Sequence, residues 1–288
     1  MMHRTAAKTL VVLATALTAT GAVLAQTTPA ADPAAAPAAT SPLTANISLT
    51  TNYKFRGQDQ DTIGHNGLYK TRGVKPAVQG GFDYAFGESG FYVGNWNSSV
   101  NWLSGNSIEM DIYGGYKMKV GVFDLDFGVL TYVYPGNHLG NTTELYGAAT
   151  YSDDALGAFT AKYSHTVSKD YFGFAGAANG SGLKGRNSGY LNLSYAKEVI
   201  PHLTLKAAVG YTRLSSDIRK NTGYKSYVDY NVGASWDFGG GLSLAGAVVG
   251  ANKKDAYLAV VEPGFGPIGA QTQSINKAQF IATLTKTF

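Results

Sequence analysis

The sequence has no cysteine among its 288 residues, which excludes a disulfide framework and any thiolate metal site. Charge is also scarce, because Asp, Glu, Lys and Arg together make up 15% of the chain. An ordinary soluble domain contains about 25% charged residues. A surface with so little charge is unusual for a protein that is surrounded by water.

Long apolar runs are missing as well. After residue 25, no stretch of 18 or more consecutive apolar residues occurs, which excludes transmembrane helices beyond that point. The chain is instead rich in glycine and aromatic residues, with 36 Gly, 19 Tyr and 13 Phe. They crowd together in stretches such as AVQGGFDYAFGESGFYVGNW, residues 77–96.

The N-terminus predicts secretion. Residues 1–25 combine a basic start at Arg4 and Lys8, an apolar stretch and a small-residue end at Ala25, as in a cleavable signal peptide. Residues 26–44 are rich in Ala, Pro and Thr and predict a disordered spacer without structure of its own.

Charge gives no reason to expect a nucleic acid partner. The whole chain has 23 basic and 19 acidic residues. Removing Arg4 and Lys8 with the signal peptide leaves 21 against 19, a net charge of +2. A mature protein this close to neutral lacks the basic excess that binds nucleic acid.

From Ala45 to Phe288 the dominant pattern is period-two alternation, which is typical of strands with two unlike faces. Most predicted strands have about ten to fourteen residues, close to the nine to eleven that a tilted strand needs to cross a bilayer. We therefore predict a single-domain, all-β, antiparallel transmembrane barrel over residues 45–288. Its twelve predicted strands are 45–57, 74–86, 90–102, 108–119, 121–134, 142–152, 157–166, 187–197, 203–214, 224–237, 241–252 and 276–288.

The faces of these strands differ in polarity. In the first strand, Ile47, Leu49, Thr51, Tyr53 and Phe55 form an apolar face that is predicted to contact lipid. The mild polar face of Ser, Thr, Asn, Gly and a few charges suits a barrel lumen.

The stretch 77–96 is predicted to be two membrane strands joined at Gly87-Glu88-Ser89. Tyr92 and Trp96 are assigned to lipid, and Asp83 and Asn95 to the lumen. No outward polar stripe marks an oligomer contact, so the oligomeric state stays open.

Connections alternate between short and long along the chain, as expected for periplasmic turns and external loops in an outer-membrane barrel of a Gram-negative bacterium. An even strand number places both termini on the periplasmic side. The last strand, NKAQFIATLTKTF, ends in Phe288, which resembles the signal that is read by the barrel assembly machinery.

Several stretches resemble the TorF family of porins. They are NYKFRG (52–57), KPAVQGGFDY (75–84), ESGFYVGNW (88–96), EMDIYGGYK (109–117), FGVLTYVYPG (127–136) and TELYG (143–147). The resemblance is densest over about residues 45–150. It implies an outer-membrane barrel with a porin role, and it supplies no catalytic residues.

Enzymatic and metal sites find little support. His65, His138 and His202 lie in predicted loops and turns, and His165 has only Ser164 beside it, which points to the opposite face. His65 with Asp59 and Asp61 could bind a metal, but a solvated polar loop is the favoured interpretation. No cofactor is predicted, and the chain is interpreted as a non-enzyme.

Charges on the polar faces supply the candidate functional residues. Lys54, Arg56 and Lys75 are predicted to cluster on one wall of the lumen, and Glu109, Asp111 and Glu144 on another. Such a transverse field can orient polar solutes; alternatively, the charges pair and stiffen or close the pore. The full predicted pore-lining set is Lys54, Arg56, Lys75, Asp83, Glu109, Asp111, Lys117, Asp124, Asp126, Glu144, Lys162, Lys206, Lys225 and Asp229.

The predicted function is passive diffusion of small polar or ionic solutes through this lumen. The alternative is a non-conducting barrel that acts as a structural or loop-mediated binding protein. Membrane lipids and lipopolysaccharide are the other expected partners.

Overall fold

The structure is a computed structural model, and it describes residues 41–63, 68–69, 73–176, 181–263 and 269–288. The predicted signal peptide, most of the spacer and His65 lie outside these ranges. Within these ranges, strands account for almost all regular structure, with one α-helix, α1, at Ser216–Asn221 and three 3-10 turns of three residues each. The strands are β1 (Leu43–Thr50), β2 (Lys54–Phe55), β3 (Gln58–Asp59), β4 (Ala77–Ala85), β5 (Phe91–Ser99), β6 (Ile108–Val120), β7 (Phe123–Val133), β8 (Thr142–Asp153), β9 (Gly157–Thr166), β10 (Gly189–Ile200), β11 (Leu203–Arg213), β12 (Tyr227–Gly239), β13 (Leu242–Ala251), β14 (Leu258–Glu262), β15 (Gln271–Ser274) and β16 (Gln279–Thr287).

A closed antiparallel barrel is formed by twelve of these strands, β1, β4 to β13 and β16, each paired with its neighbours in the chain, and β16 pairs with β1 to complete the ring. This confirms the predicted fold class and strand number. Apart from β1, every barrel strand begins and ends within about three residues of its predicted bounds. Closure leaves no strand edge unpaired, which a sheet in lipid requires.

The two ends of the barrel differ. Tight turns such as 121–122 and 201–202 lie at one end, where β1 begins and β16 ends. We call this the turn end, and the opposite end, with the longer connections, the loop end. The corresponding halves of the interior are the turn half and the loop half. No helix in the described part of the chain is both long enough and apolar enough to cross a membrane.

The outer surface of the barrel is apolar. Side chains alternate between exposed and buried along the strands, and exposed ones include Ile112 (54%), Phe127 (50%) and Val232 (57%). In β6, β7 and β12, as the period-two pattern predicts, apolar residues occupy most of the exposed positions. Soluble monomers rarely expose contiguous apolar patches beyond a few hundred square ångströms, so this belt indicates a lipid environment.

The first predicted strand is wrong beyond Thr50. Wall strand β1 ends there, and the chain turns into the barrel instead of continuing to residue 57. Tyr53 and Phe55, which were assigned to lipid, are 4% and 7% exposed inside the lumen. A short inward hairpin shows the same alternation as a wall strand, so the pattern could not separate the two.

The face assignment of β5 is also wrong. Tyr92 and Trp96 are buried inside the barrel at 9% and 4% exposure, whereas Phe91 and Val93 are exposed. Asn95 shares the outward face of Phe91 and Val93, because alternate residues of a strand point to the same side. Both faces of FYVGNWN carry aromatic residues, and the larger rings belong to the lumen.

Candidate functional site

A hairpin crosses the loop half of the lumen. We call residues 51–63 the inserted segment; within it β2 and β3 pair, Lys54 with Asp59 and Phe55 with Gln58. Arg56 and Gly57 form its tip with left-handed φ angles of 45° and 77°. A Cβ on Gly57 would lie 2.6 Å from the Gly250 carbonyl oxygen. The tip therefore touches the wall at β13 so closely that only glycine fits.

Arg56 ties the tip of the hairpin to the far wall. Its Nη2 donates to Glu144 Oε2 on β8 at 2.6 Å, and both side chains are 1% exposed. The guanidinium lies over the rings of Tyr190 (4.2 Å) and Phe55 (4.8 Å). Nε and Nη1 of Arg56 and Oε1 of Glu144 find no partner among the described residues. A charge-assisted bond between stacked rings thus joins the tip of the inserted segment to β8.

Asp59 anchors the other side of the hairpin. It forms an ion pair with Lys75, and Tyr69 Oη donates to its Oδ2 at 2.9 Å. All three residues are buried. Asp59 is therefore part of a structural network. Among the residues that the structure describes, no group of three or more His, Asp or Glu side chains is placed to hold a metal ion.

Lys54 has no carboxylate partner within bonding distance among the described residues. Its Nζ donates to the Ile275 and Gly57 carbonyl oxygens at 2.8 and 3.3 Å. Burial lowers the pKa of Lys54 to about 8, a change that nearby Asp59 partly opposes. Lys54 lies on the inserted segment, outside the membrane-spanning strands, and its charge is sensitive to mildly alkaline pH.

The acidic cluster on β6 faces the inserted segment. Tyr53 and Tyr134 donate to the two oxygens of Glu109, at 2.7 and 2.5 Å. Asp111 is 2% exposed, and its Oδ1 has no hydrogen-bond partner among the described residues. The structure thus brings the predicted basic and acidic groups together in the loop half, with Arg56 and Glu144 in direct contact.

Aromatic rings fill the space around these charges. Phe55 packs against Tyr132 and Phe172, with centroids 5.4 and 5.3 Å apart. Phe172 and its buried neighbour Tyr171 belong to the connection between β9 and β10, so a second loop also folds inward. Sequence reasoning missed these two residues. The only signal was the run YFGF (171–174) within an otherwise polar loop.

The turn half of the lumen is also lined by polar groups. Tyr113 Oη donates to Asp83 at 2.7 Å, and Asp83 is half-buried. Tyr92 Oη donates to Asp126 at 2.6 Å, and Lys117 lies 4.6 Å above the Tyr92 ring. Tyrosines hold the carboxylates against the wall here, and no chain segment is inserted among the described residues.

Three further candidate residues are buried on neighbouring strands. Lys162 on β9 lies 4.1 Å from the centre of the Tyr146 ring. Lys206 on β11 is 5% exposed, and Asp229 on β12 accepts a hydrogen bond from Tyr190 at 3.0 Å. These residues extend the charged lining around the wall.

Two candidate residues lie at the rims. Asp124 pairs with Lys119 at 3.3 Å near the turn end, where both side chains are about half exposed. Lys225 precedes β12 at the loop end and pairs with Asp255 at 2.6 Å, with both side chains exposed to solvent. Neither belongs to the enclosed interior.

The chain belongs to a family of bacterial proteins. Residues 34–288 match the family described as "Bacterial protein of unknown function (Gcw_chp)". The resemblance to TorF porins is not confirmed by this match. No curated protein matches the chain significantly.

Solved structures show that the fold is that of outer-membrane porins. The KdgM porin aligns with a TM-score of 0.51 at 10% identity, covering 85% of this chain and 99% of that one. The NanC porin aligns with a TM-score of 0.50 at 9% identity, covering 85% and 98%. The Pseudomonas putida F1 COG4313 channel has a TM-score of 0.45 at 12% identity, covering 90% and 100%.

Proposed function

We propose that this chain is a porin-like channel of the outer membrane, through which small polar or ionic solutes diffuse passively. The observation that carries the proposal is the closed twelve-strand barrel, apolar outside and charged inside. An apolar core would suffice to hold a soluble barrel together. A lumen with many polar and charged side chains is instead typical of barrels that hold water.

The inserted segment acts in this proposal as the constriction. It crosses the lumen from β1 to β8 and leaves solutes only the space beside the hairpin. The inserted segment also supports the alternative function, a non-conducting binding or structural barrel. A hairpin held by Arg56–Glu144 and packed aromatic rings could close the loop half completely.

Single-channel recording in planar bilayers separates the two functions. We expect the folded protein to give defined conductance steps, and a double variant R56Q/E144Q to give larger ones. The double variant removes the ion pair without leaving either charge alone. A folded barrel that is silent in both forms would overturn the channel and favour the non-conducting role.

Ion selectivity tests the proposed pore-lining residues. Lys54 and Arg56 place positive charge opposite Glu109 and Asp111, so the variant K54Q/R56Q should shift the reversal potential in a salt gradient towards cations. K225Q is the matched control, because it removes a positive charge that lies outside the barrel interior. An equal shift in both variants would contradict a lumen field.

Cellular context completes the proposal. Residues 1–25 would direct secretion and be removed, and residues 26–44 would lead into the barrel. Both termini would face the periplasm, since β1 begins and β16 ends at the turn end. The strand that ends at Phe288 would be read by the assembly machinery, and the exposed belt would contact lipid and lipopolysaccharide. No cofactor or catalytic step is part of this proposal.

A further inference from the structure

The outward face of β5 carries a polar pair inside the apolar belt. Asn95 and Asn97 lie on the same face as Phe91 and Val93, which are 58% and 45% exposed. Asn95 is flanked by Phe82 on β4 and Ile112 on β6, also exposed. Among the described barrel-strand residues, these are the only outward side-chain amides.

The hydrogen bonds of this pair are incomplete. Asn97 Nδ2 donates to Asn95 Oδ1 at 2.5 Å and to the Gly80 carbonyl at 3.3 Å, and Asn95 Nδ2 donates to the Asp111 carbonyl at 3.1 Å. An amide offers two N–H donors and one acceptor oxygen. One N–H of Asn95 and the oxygen of Asn97 take no part in these bonds.

Lipid tails cannot supply what is missing, because they neither donate nor accept hydrogen bonds. A second copy of the same surface can. A two-fold axis brings a surface patch against itself, and each copy would supply both the N–H that Asn95 leaves unused and the oxygen that Asn97 leaves unused. The donor and the acceptor are therefore complementary under that symmetry.

The neighbouring surface leaves room for a partner. An apolar depression of about 700 Å³ opens on β5–β7 and is lined by Gly114 and the rings of Phe91, Tyr116 and Phe127. Val93, the outward residue of β5 that precedes Asn95, is also part of its lining. Small residues allow close approach of membrane segments, and polar groups between them add hydrogen bonds. We propose that two copies of this chain pair in the membrane through the outward face of β5, with Asn95 and Asn97 at the contact.

The absence of cysteine makes a clean test possible. Single variants N95C and N97C, expressed in outer membranes, are oxidised with a membrane-permeant catalyst, and disulfide-linked dimers are measured on a non-reducing gel. T143C is the matched control. Thr143 is another outward polar residue, on β8, whose hydroxyl is already paired with Thr131 at 3.1 Å. We expect a species of twice the chain mass from N95C or N97C and at least tenfold less from T143C.

Native mass spectrometry of the cysteine-free protein in mild detergent provides a second measurement. The wild type should be dimeric, and the variant N95V/N97V should shift to monomer while remaining a folded barrel. Dimer yields that do not exceed the T143C control, or a monomeric wild type, would overturn the proposal. Neither result depends on conductance, so dimerisation and the channel function succeed or fail separately.

Discussion

In the loop half of the lumen, Arg56 and Glu144 are 1% exposed and joined across the barrel by the inserted segment. In the turn half, Asp83 on β4 is held by Tyr113, which lies two strands away on β6, and Asp83 stays half-buried. Both halves use tyrosines and carboxylates. They differ because the first pairs charges between a loop and the far wall, whereas the second pairs groups within the wall. We therefore expect substitutions in the loop half to change mainly the free energy of unfolding. Substitutions in the turn half should change mainly the ion selectivity.

The largest effect should come from Arg56→Gln. The substitution leaves Glu144 buried without its ion-pair partner, and breaking one side of a buried pair costs about 3–5 kcal/mol. Urea unfolding in lipid vesicles measures this loss. The double variant R56Q/E144Q should recover most of the lost free energy of unfolding, because it leaves no buried charge unpaired. A double variant no more stable than R56Q would show that the loss does not come from the unpaired charge of Glu144.

The next effect concerns Lys54 and pH. Its pKa in the folded protein is about 8, below the ordinary 10.5. Between pH 8 and 10.5, Lys54 binds more protons in the unfolded chain than in the folded protein. Its contribution to the free energy of unfolding therefore increases as pH rises through this window. Urea midpoints recorded across the window should rise more in the wild type than in K54M. Identical pH profiles would contradict a buried, charge-sensitive Lys54.

A smaller effect is expected from Asp83→Asn in the turn half. The amide keeps an acceptor for Tyr113, so stability should change by less than about 1 kcal/mol. The reversal potential should move towards anions, because one lumen carboxylate is lost. A large loss of stability in D83N without a change in ion selectivity would show that the turn half, like the loop half, serves mainly to hold the barrel together.

The smallest effect is expected from Lys225→Gln at the loop-end rim. Exposed ion pairs in water contribute little, so the urea midpoint and the conductance should both stay as in the wild type. A clear decrease in either quantity would mean that the Lys225–Asp255 pair holds a loop over the lumen.

Much of the barrel could be predicted from the sequence. Alternation over ten or more residues identifies a wall strand, because lipid and lumen select opposite side chains at every second position. This works on β6, where Met110 and Ile112 face out and Glu109 and Asp111 face in. The strand number and the closed topology follow from such patterns.

The errors arise where the lumen is itself aromatic. Tyr53 and Phe55 look like lipid-facing residues, and so do Tyr92 and Trp96, but all four rings pack inside. Periodicity reports that two faces differ and does not say which solvent each face meets. The Arg56–Glu144 contact was equally beyond sequence reasoning, because it depends on the inward turn after Thr50. Of the candidate charges, Lys225 was misplaced inside a strand because the alternating pattern begins at residue 224, three residues before the start of β12.

The contacts of the inserted segment also constrain the order of folding. Its tip meets Glu144, Gly250 and Ile275, which lie roughly 90 to 220 positions further along the chain. Contacts between residues so distant in sequence form slowly, since a long loop must close before they contribute. The hairpin can reach all three only after the wall has curved around it. We therefore expect the barrel to pass through a stage with an open interior during assembly, with the inserted segment among the last parts of the protein to form.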